Sequence, residues 1–284
     1  MPTNDTGRFY QSHDGLKLYY RDFAPTMPGV PVLCLPGLTR NSRDFEDLAM
    51  HLCRGRRVLT PDLRGRGYSE HDPDWRNYRA DTYATDAWTL LDGLDISQVI
   101  VVGTSLGGLI AMVMAMQDAG RLRGVIMNDI GPEIAPEGLA RIQAYTGRLP
   151  PVASWDEAVA QTKEIYGLTL PGLSEDEWRK MARRAYREDA DGVPRLDLDP
   201  AIGRAVRASS PQTADAWQVF EALRDTPLLV IRGAMSDVLA EETLNRMRER
   251  KPDLIAVTVP NRGHVPLLDE PECISAIDTF IGEL

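Results

Sequence analysis

The stretch Val99-Ile100-Val101-Val102-Gly103-Thr104-Ser105-Leu106-Gly107-Gly108 opens the most apolar segment of the chain, an uncharged run that continues to Met116. Its only strongly polar side chains are Thr104 and Ser105, ringed by the three glycines. β-Branched residues, then glycines, then apolar residues without a break read as a buried strand turning directly into a buried helix. The run is long enough to raise the possibility of a membrane span. Its glycines interrupt it, its flanks are not basic and no second span accompanies it, so none is expected. A turn this tight strains the backbone at its apex, and glycine at 103 and 107 lets helix and strand approach closely. The pattern is G-x-S-x-G, a nucleophile elbow: it would lift the Ser105 hydroxyl clear of the carboxyl edge of a sheet and aim the Leu106 amide at it.

Outward from this junction, strand and helix signals alternate. Phe9–Ser12 and Lys17–Phe23 flank a His-Asp-Gly turn and read as a hairpin. Val30–Leu35, Arg57–Thr60, Val99–Val102, Leu122–Asn128, Leu228–Ile231 and Ile255–Val259 read as strands. Between and after them, Asp44–Cys53, Tyr78–Leu94, Leu106–Gln117, Glu241–Arg250 and Pro271–Leu284 carry helical spacing. Such alternation implies an α/β fold with a mostly parallel central sheet and helices on both faces. Between 133 and 212 the pattern changes to proline-punctuated amphipathic pieces (Glu137–Gly147, Trp155–Tyr166, Glu175–Glu188, Pro200–Ala208) with no apolar strand candidate. That segment is expected to be an all-helical insertion, leaving 1–132 and 213–284 as the core.

The chain has 284 residues, 32 Lys plus Arg and 42 Asp plus Glu, for a net charge of −10. A surface of that sign repels phosphate backbones and anionic membranes, so neither nucleic acid nor membrane is expected as a partner. Cys34, Cys53 and Cys273 are odd in number and never spaced as C-x-x-C, which fits reduced thiols in a cytoplasmic protein. Met1–Tyr10 lacks the basic start and apolar stretch of a signal peptide. No His, Cys or carboxylate set has metal-ligand spacing, and Gly65-Arg66-Gly67 lacks the lysine and helix start of a phosphate loop, so no metal or cofactor is expected.

Several stations along the chain resemble the α/β-hydrolase superfamily, in family order and over nearly the whole length. Leu35-Pro36-Gly37-Leu38 stands where the family usually has His-Gly and an oxyanion residue, with Pro36 in place of the histidine. Asp62-Leu63-Arg64-Gly65-Arg66-Gly67-Tyr68-Ser69 resembles the D-x-R-G-x-G-x-S loop. Gly103–Gly108, Gly233-Ala234-Met235-Ser236-Asp237 and Gly263-His264-Val265-Pro266 resemble the elbow, acid and histidine loops. The resemblance implies a serine hydrolase with Ser105 as nucleophile and His264 as base; His264 follows a predicted strand and would lie at the same sheet edge as Ser105. His13, His51 and His71 read as surface residues. For the acid, the resemblance implies Asp237, which lies in the family's usual loop, with Asp129, where some branches place it, as the alternative. Asp62 reads as a carboxylate that fixes the Arg64–Gly67 loop. The amides of Leu38 and Leu106 would hold the oxyanion.

The insertion resembles the helical cap that many members place over the site. Trp155, Tyr166 and Met181 from it, with Val265, are expected to line a pocket for a small, mostly apolar ester, thioester or lactone, the expected partner being that small acyl substrate. C–C hydrolases of ring-fission products keep the serine but commonly carry Trp after the histidine, where this chain has Val265. A receptor that binds without turnover is the alternative outside enzymology. The sequence does not specify an oligomeric state.

Overall fold

The computed structural model describes residues 5–208 and 216–284. The expected boundary between 212 and 213, like Met1–Asn4, lies outside them. Eight strands form one sheet: β1 (Asp5–Gln11), β2 (Lys17–Phe23), β3 (Val32–Leu35), β4 (Val58–Pro61), β5 (Val99–Thr104), β6 (Leu122–Asn128), and β9 (Leu228–Gly233) with β10 (Ile255–Val259). Their order is β1-β2-β4-β3-β5-β6-β9-β10. The β1–β2 and β2–β4 pairs are antiparallel, and every pair from β4 to β10 is parallel. The mostly parallel α/β sheet read from the sequence is the one observed.

Side-chain alternation explains why the strands read as unbroken apolar runs. Leu33, Leu35, Val99, Val101, Val125, Met127, Leu228 and Val230 enter one buried cluster, and Val32, Cys34, Ile100, Val102, Ile126, Leu229 and Ile231 enter the other. The first is covered by helices α2 (Ala80–Gly93) and α3 (Leu106–Asp118), the second by α1 (Glu46–Leu52) and α10 (Pro271–Gly282). A sheet buried on both faces leaves no polar side to its inner strands. The apolar run at 99–116 is thus divided between β5 and α3, and among the described residues no helix is long and apolar enough to cross a membrane.

Between β6 and β9 the chain forms α4 (Pro136–Tyr145), α5 (Trp155–Tyr166), α6 (Glu175–Ala185), α7 (Ile202–Ala208) and, after the undescribed residues, α8 (Ala216–Glu221). Ser154 and Ser174 start α5 and α6 by accepting the amides of Glu157 and Glu177. The sequence predicts an all-helical segment with a helical piece over Glu175–Glu188, and the structure corrects this: α6 ends at Ala185 and a two-stranded antiparallel hairpin follows, β7 (Tyr186–Glu188) with β8 (Pro194–Leu196). Its paired Tyr186 and Leu196 join a small cluster with Val152, Trp155, Ala158 and Ala185, while Glu188 and Arg195 are exposed.

The segment is tied to the core by polar contacts around the residues after β3. The Asn41 amide donates to the Arg184 carbonyl at 2.8 Å, Arg43 pairs with Asp197 at 2.5 Å, and Lys180 and Arg184 both reach Asp47 at 2.7 Å. These contacts hold α6 over the carboxyl end of the sheet.

Candidate functional site

Ser105 stands between β5 and α3 with φ 51° and ψ −112°, the left-handed strain expected at the apex of the elbow. A Cβ on Gly107 would collide with the Leu35 carbonyl, and one on Gly103 with the peptide of Gly107 and Gly108. The strand–helix junction therefore admits only glycine at both positions. The Ser105 amide donates to the Asn128 carbonyl at 3.0 Å, which ties the elbow to the end of β6.

His264 follows β10 and is buried at 7% exposure. Its Nε2 lies 2.9 Å from Ser105 Oγ and its Nδ1 lies 2.8 Å from Asp129 Oδ2. The structure thus brings Ser105 and His264 together and gives the imidazole a carboxylate partner. That partner is Asp129, the alternative, and not Asp237. Asp129 is fully buried at the end of β6, where its Oδ1 accepts from the Gly233 amide at 2.8 Å and its Oδ2 also from the Ser236 hydroxyl at 2.6 Å. Asp237, four residues beyond the end of β9, turns the other way. Its two oxygens accept from Nε and Nη2 of Arg141, on α4, at 2.6 and 2.8 Å. Burial pushes the Asp237 carboxyl up, but Arg141 outweighs it and holds the group below the ordinary carboxylate range.

Ser236 was not singled out in the sequence. Its hydroxyl accepts from the amides of Val238 and Leu239 at 3.2 and 3.0 Å, which leaves its proton for Asp129. Asn128, beneath the site, donates to the Pro266 carbonyl at 2.9 Å and so steadies the loop that carries His264. The amides of Leu38 and Leu106 have no protein acceptor among the described residues. Arg66, fully buried, donates from Nε and Nη2 to the Leu38 carbonyl at 3.0 and 2.9 Å and so orients that peptide. Asp62 accepts from the amides of Ser42 and Tyr68 at 2.7 and 2.9 Å, joining the loop after β4 to the one after β3.

A cavity of about 220 Å³ opens over Ser105. Tyr166, Met181 and Val265 line it, and Trp155 does not. Trp155 packs with Val152, Ala158, Ala185 and Tyr186 on the outer side of the inserted segment, its Nε1 donating to Glu188 at 2.6 Å beneath the Arg183 guanidinium. Ile142, Tyr145 and Leu170 line the cavity instead. So do charged residues that a mostly apolar pocket would lack, Arg40, Asp44, Glu177, Lys180, Arg184 and Asp269.

Of the other histidines, His13 and His71 are exposed and His51 pairs with Asp278 at 2.8 Å at the surface. Among the described residues one set of possible metal ligands comes together, His13, Asp14 and Asp86. The Arg64 guanidinium already hydrogen-bonds both carboxylates, at 2.7 and 2.6 Å, and supplies the positive charge there.

A family model for the alpha/beta hydrolase fold matches residues 30–271. The 3-hydroxybutyrate-oligomer hydrolase of Cupriavidus necator is 35% identical over 267 residues, covering 90% of this chain and 89% of that protein. The 2-(acetamidomethylene)succinate hydrolase of Mesorhizobium japonicum is 28% identical, over 89% and 88% of the two chains. The crystal structure of an alpha/beta hydrolase from Novosphingobium aromaticivorans superposes with a TM-score of 0.93 at 39% identity, covering 100% of both chains.

Proposed function

The chain belongs to the α/β-hydrolase family, its similar proteins are hydrolases, and from that premise we propose that it is a serine hydrolase that cleaves small carboxylic esters through an acyl-enzyme on Ser105. The observation that carries the reading is the hydrogen-bonded chain Ser105–His264–Asp129 at the floor of a cavity. His264 Nε2 takes the hydroxyl proton as Ser105 Oγ attacks the ester carbonyl. Asp129 holds the imidazole so that Nδ1 carries the hydrogen and Nε2 is free to accept, and it stabilises the imidazolium that forms. The amides of Leu38 and Leu106 receive the negative charge that develops on the carbonyl oxygen, a contribution of about 10²–10³ in rate per donor in comparable sites. The imidazolium then protonates the departing alcohol. Water, activated by the same nitrogen, releases the acid and regenerates Ser105. The segment between β6 and β9 acts as a cap that excludes water and shapes the cavity.

The Cupriavidus relative is named for hydrolysis of 3-hydroxybutyrate oligomers, and hydroxy acids joined head to tail are carboxylic esters, which supports esters over other acyl compounds; the charged lining moves the expected substrate away from a purely apolar one. Labelling with a fluorophosphonate, followed by mapping of the modified peptide, tests the nucleophile directly. The label should sit on Ser105, and Ser105→Ala should lose both labelling and turnover of p-nitrophenyl acetate. Full activity in Ser105→Ala would end the proposal, and binding of esters without any turnover by the unaltered protein would make it a receptor.

A further inference from the structure

We propose that the cavity recognises a carboxylate on its substrate, through the guanidinium of Arg40, and that the ester cleaved is therefore an anionic one with its charge a few bonds from the scissile carbonyl. The inference rests on the serine-hydrolase reading for the reaction, and not for the binding of the anion.

Arg40 sits on the turn after β3 that carries the Leu38 amide, its own amide donating to the Gly37 carbonyl at 3.1 Å. The nucleophile is close by. A Cβ placed on Gly37 would lie 3.7 Å from Arg40 Cγ and 3.8 Å from Ser105 Cβ, so the two side chains leave the backbone as neighbours. Arg40 lines the cavity over Ser105 and also a smaller recess that opens beside Tyr145 and Tyr166. Its side chain is 11% exposed. A positive charge is rarely placed so deep without a partner.

The partner it has leaves part of the guanidinium unused. Nε and Nη2 donate to the two oxygens of Asp44 at 2.6 Å each, and Nη2 lies 3.4 Å from the Met181 carbonyl. Nη1 has no protein acceptor among the described residues. A guanidinium offers five N–H donors in a rigid fork, and a second edge beside the one already occupied matches another carboxylate in plane. Asp44 fixes the orientation of that edge in advance, so a bound ligand need not order the side chain. The Tyr166 ring lies 5.9 Å from the Arg40 carbon and supports the same face.

The cavity's own carboxylates do not compete for the free edge. Asp44 is spent on Arg40, and Glu177 is spent on the Ser174 amide and hydroxyl at the start of α6. Asp269 makes no hydrogen bond to Arg40 among the described residues; burial, with Glu270 and Asp47 nearby, pushes its carboxyl up.

The test uses two matched pairs of esters, because the carboxylate could lie on either side of the scissile bond. The linear dimer of 3-hydroxybutyrate and its primary amide carry or lack the charge on the alcohol side. Mono-p-nitrophenyl glutarate and the p-nitrophenyl ester of glutaramic acid do so on the acyl side. The readout is the ratio of kcat/KM, charged over neutral, within each pair. In the unaltered protein at least one ratio should exceed about ten, chiefly through KM, as expected for a charge-assisted hydrogen bond in a partly dry site. Arg40→Gln should bring that ratio to near one, and Arg40→Lys should keep part of it. Ratios near one in the unaltered protein, or a ratio that survives Arg40→Gln, would overturn the assignment. Titration of glutarate into Ser105→Ala, with and without Arg40→Gln, tests the anion site independently of turnover. Saturable binding lost with Arg40→Gln supports it even if no ester is hydrolysed, and no binding to Ser105→Ala overturns it.

Discussion

Replacing Asp129 by Asn separates the two candidate acids more sharply than any other change. The carboxylate accepts hydrogen bonds on both oxygens, from the Gly233 amide on Oδ1 and from Ser236 and His264 Nδ1 on Oδ2. An amide has one acceptor atom. If its oxygen faces Gly233, its NH₂ points at His264 Nδ1 and drives the imidazole into the tautomer with hydrogen on Nε2. That nitrogen then donates to Ser105 instead of accepting from it, and the base is lost. If the oxygen faces His264, the NH₂ opposes the Gly233 N–H in a fully buried place, which costs about 1–3 kcal/mol for the unpaired donors. The first arrangement avoids the clash, so kcat should fall by about 10³–10⁴, or about 4–5 kcal/mol in the barrier. Asp237→Asn breaks instead a pair that is 25% and 28% exposed, a contribution of about 1 kcal/mol or less to stability, and kcat should change by less than about fivefold. The assay is kcat/KM on p-nitrophenyl acetate for both variants, normalised to fluorophosphonate-reactive sites. A collapse in Asp237→Asn beside a loss of under tenfold in Asp129→Asn would refute the assignment and show that the loop after β9 supplies the acid in solution.

Other consequences can be measured on the same preparations. Ser236→Ala should lower kcat by about tenfold, because the Asp129 oxygen that meets His264 Nδ1 loses the hydroxyl that helps to hold it in place; an unchanged kcat would reduce Ser236 to a loop-packing residue. Gly103→Ala places a methyl 2.5 Å from the Gly108 nitrogen, beyond ordinary overpacking, so the thermal midpoint should drop by about 5–10 °C or the protein should fail to fold; an unchanged midpoint contradicts the close approach. Asp14 is held at about 2, chiefly by its hydrogen bonds to Arg64. Its folded value is depressed, so its stabilising contribution is present above the ordinary carboxylate value of about 3.9 and is lost as pH falls toward about 2. Asp14→Asn should flatten the stability–pH curve there by about 1 kcal/mol or less after solvent screening, read as urea midpoints between pH 5 and 3.

How much of this was visible in the sequence follows from the range of the interactions involved. The junction at 99–108 was legible because an apolar run and its glycines report local sterics, and Val99–Met116 divided where Gly103 and Ser105 required. The strands were legible because burial on both faces removes polar residues altogether. The β7–β8 hairpin was not: Tyr186-Arg187-Glu188 continues the helical spacing of α6 and is turned into a strand by pairing with residues 194–196. Trp155 was misplaced because an amphipathic helix declares that it has an apolar side without saying which neighbour covers it. Its indole is fixed by Glu188, far along the chain. Arg40 carried no signal either, since an arginine after a glycine turn looks like any surface cation until Asp44 and the cavity are seen around it.

The acid was ambiguous for a deeper reason. β6 and β9 are neighbours in the sheet, Asn128 lying opposite Ile231, so the residues that follow them emerge at the same edge and face the same imidazole. Either could present a carboxylate, and this chain divides the work between the two loops. Asp129 supplies the charge, while the loop after β9 supplies the Gly233 amide and the Ser236 hydroxyl that hold it. Asp237, next in sequence to Ser236, is released to bind Arg141 on α4. Two adjacent residues therefore join the carboxylate that orients His264 to the helix that helps to cover the cavity. Arg141 on α4 and the Asp129 carboxylate are thus separated by one peptide bond, between Ser236 and Asp237, and one hydroxyl, with no hydrogen bond from α4 to either member of the His264–Asp129 pair among the described residues.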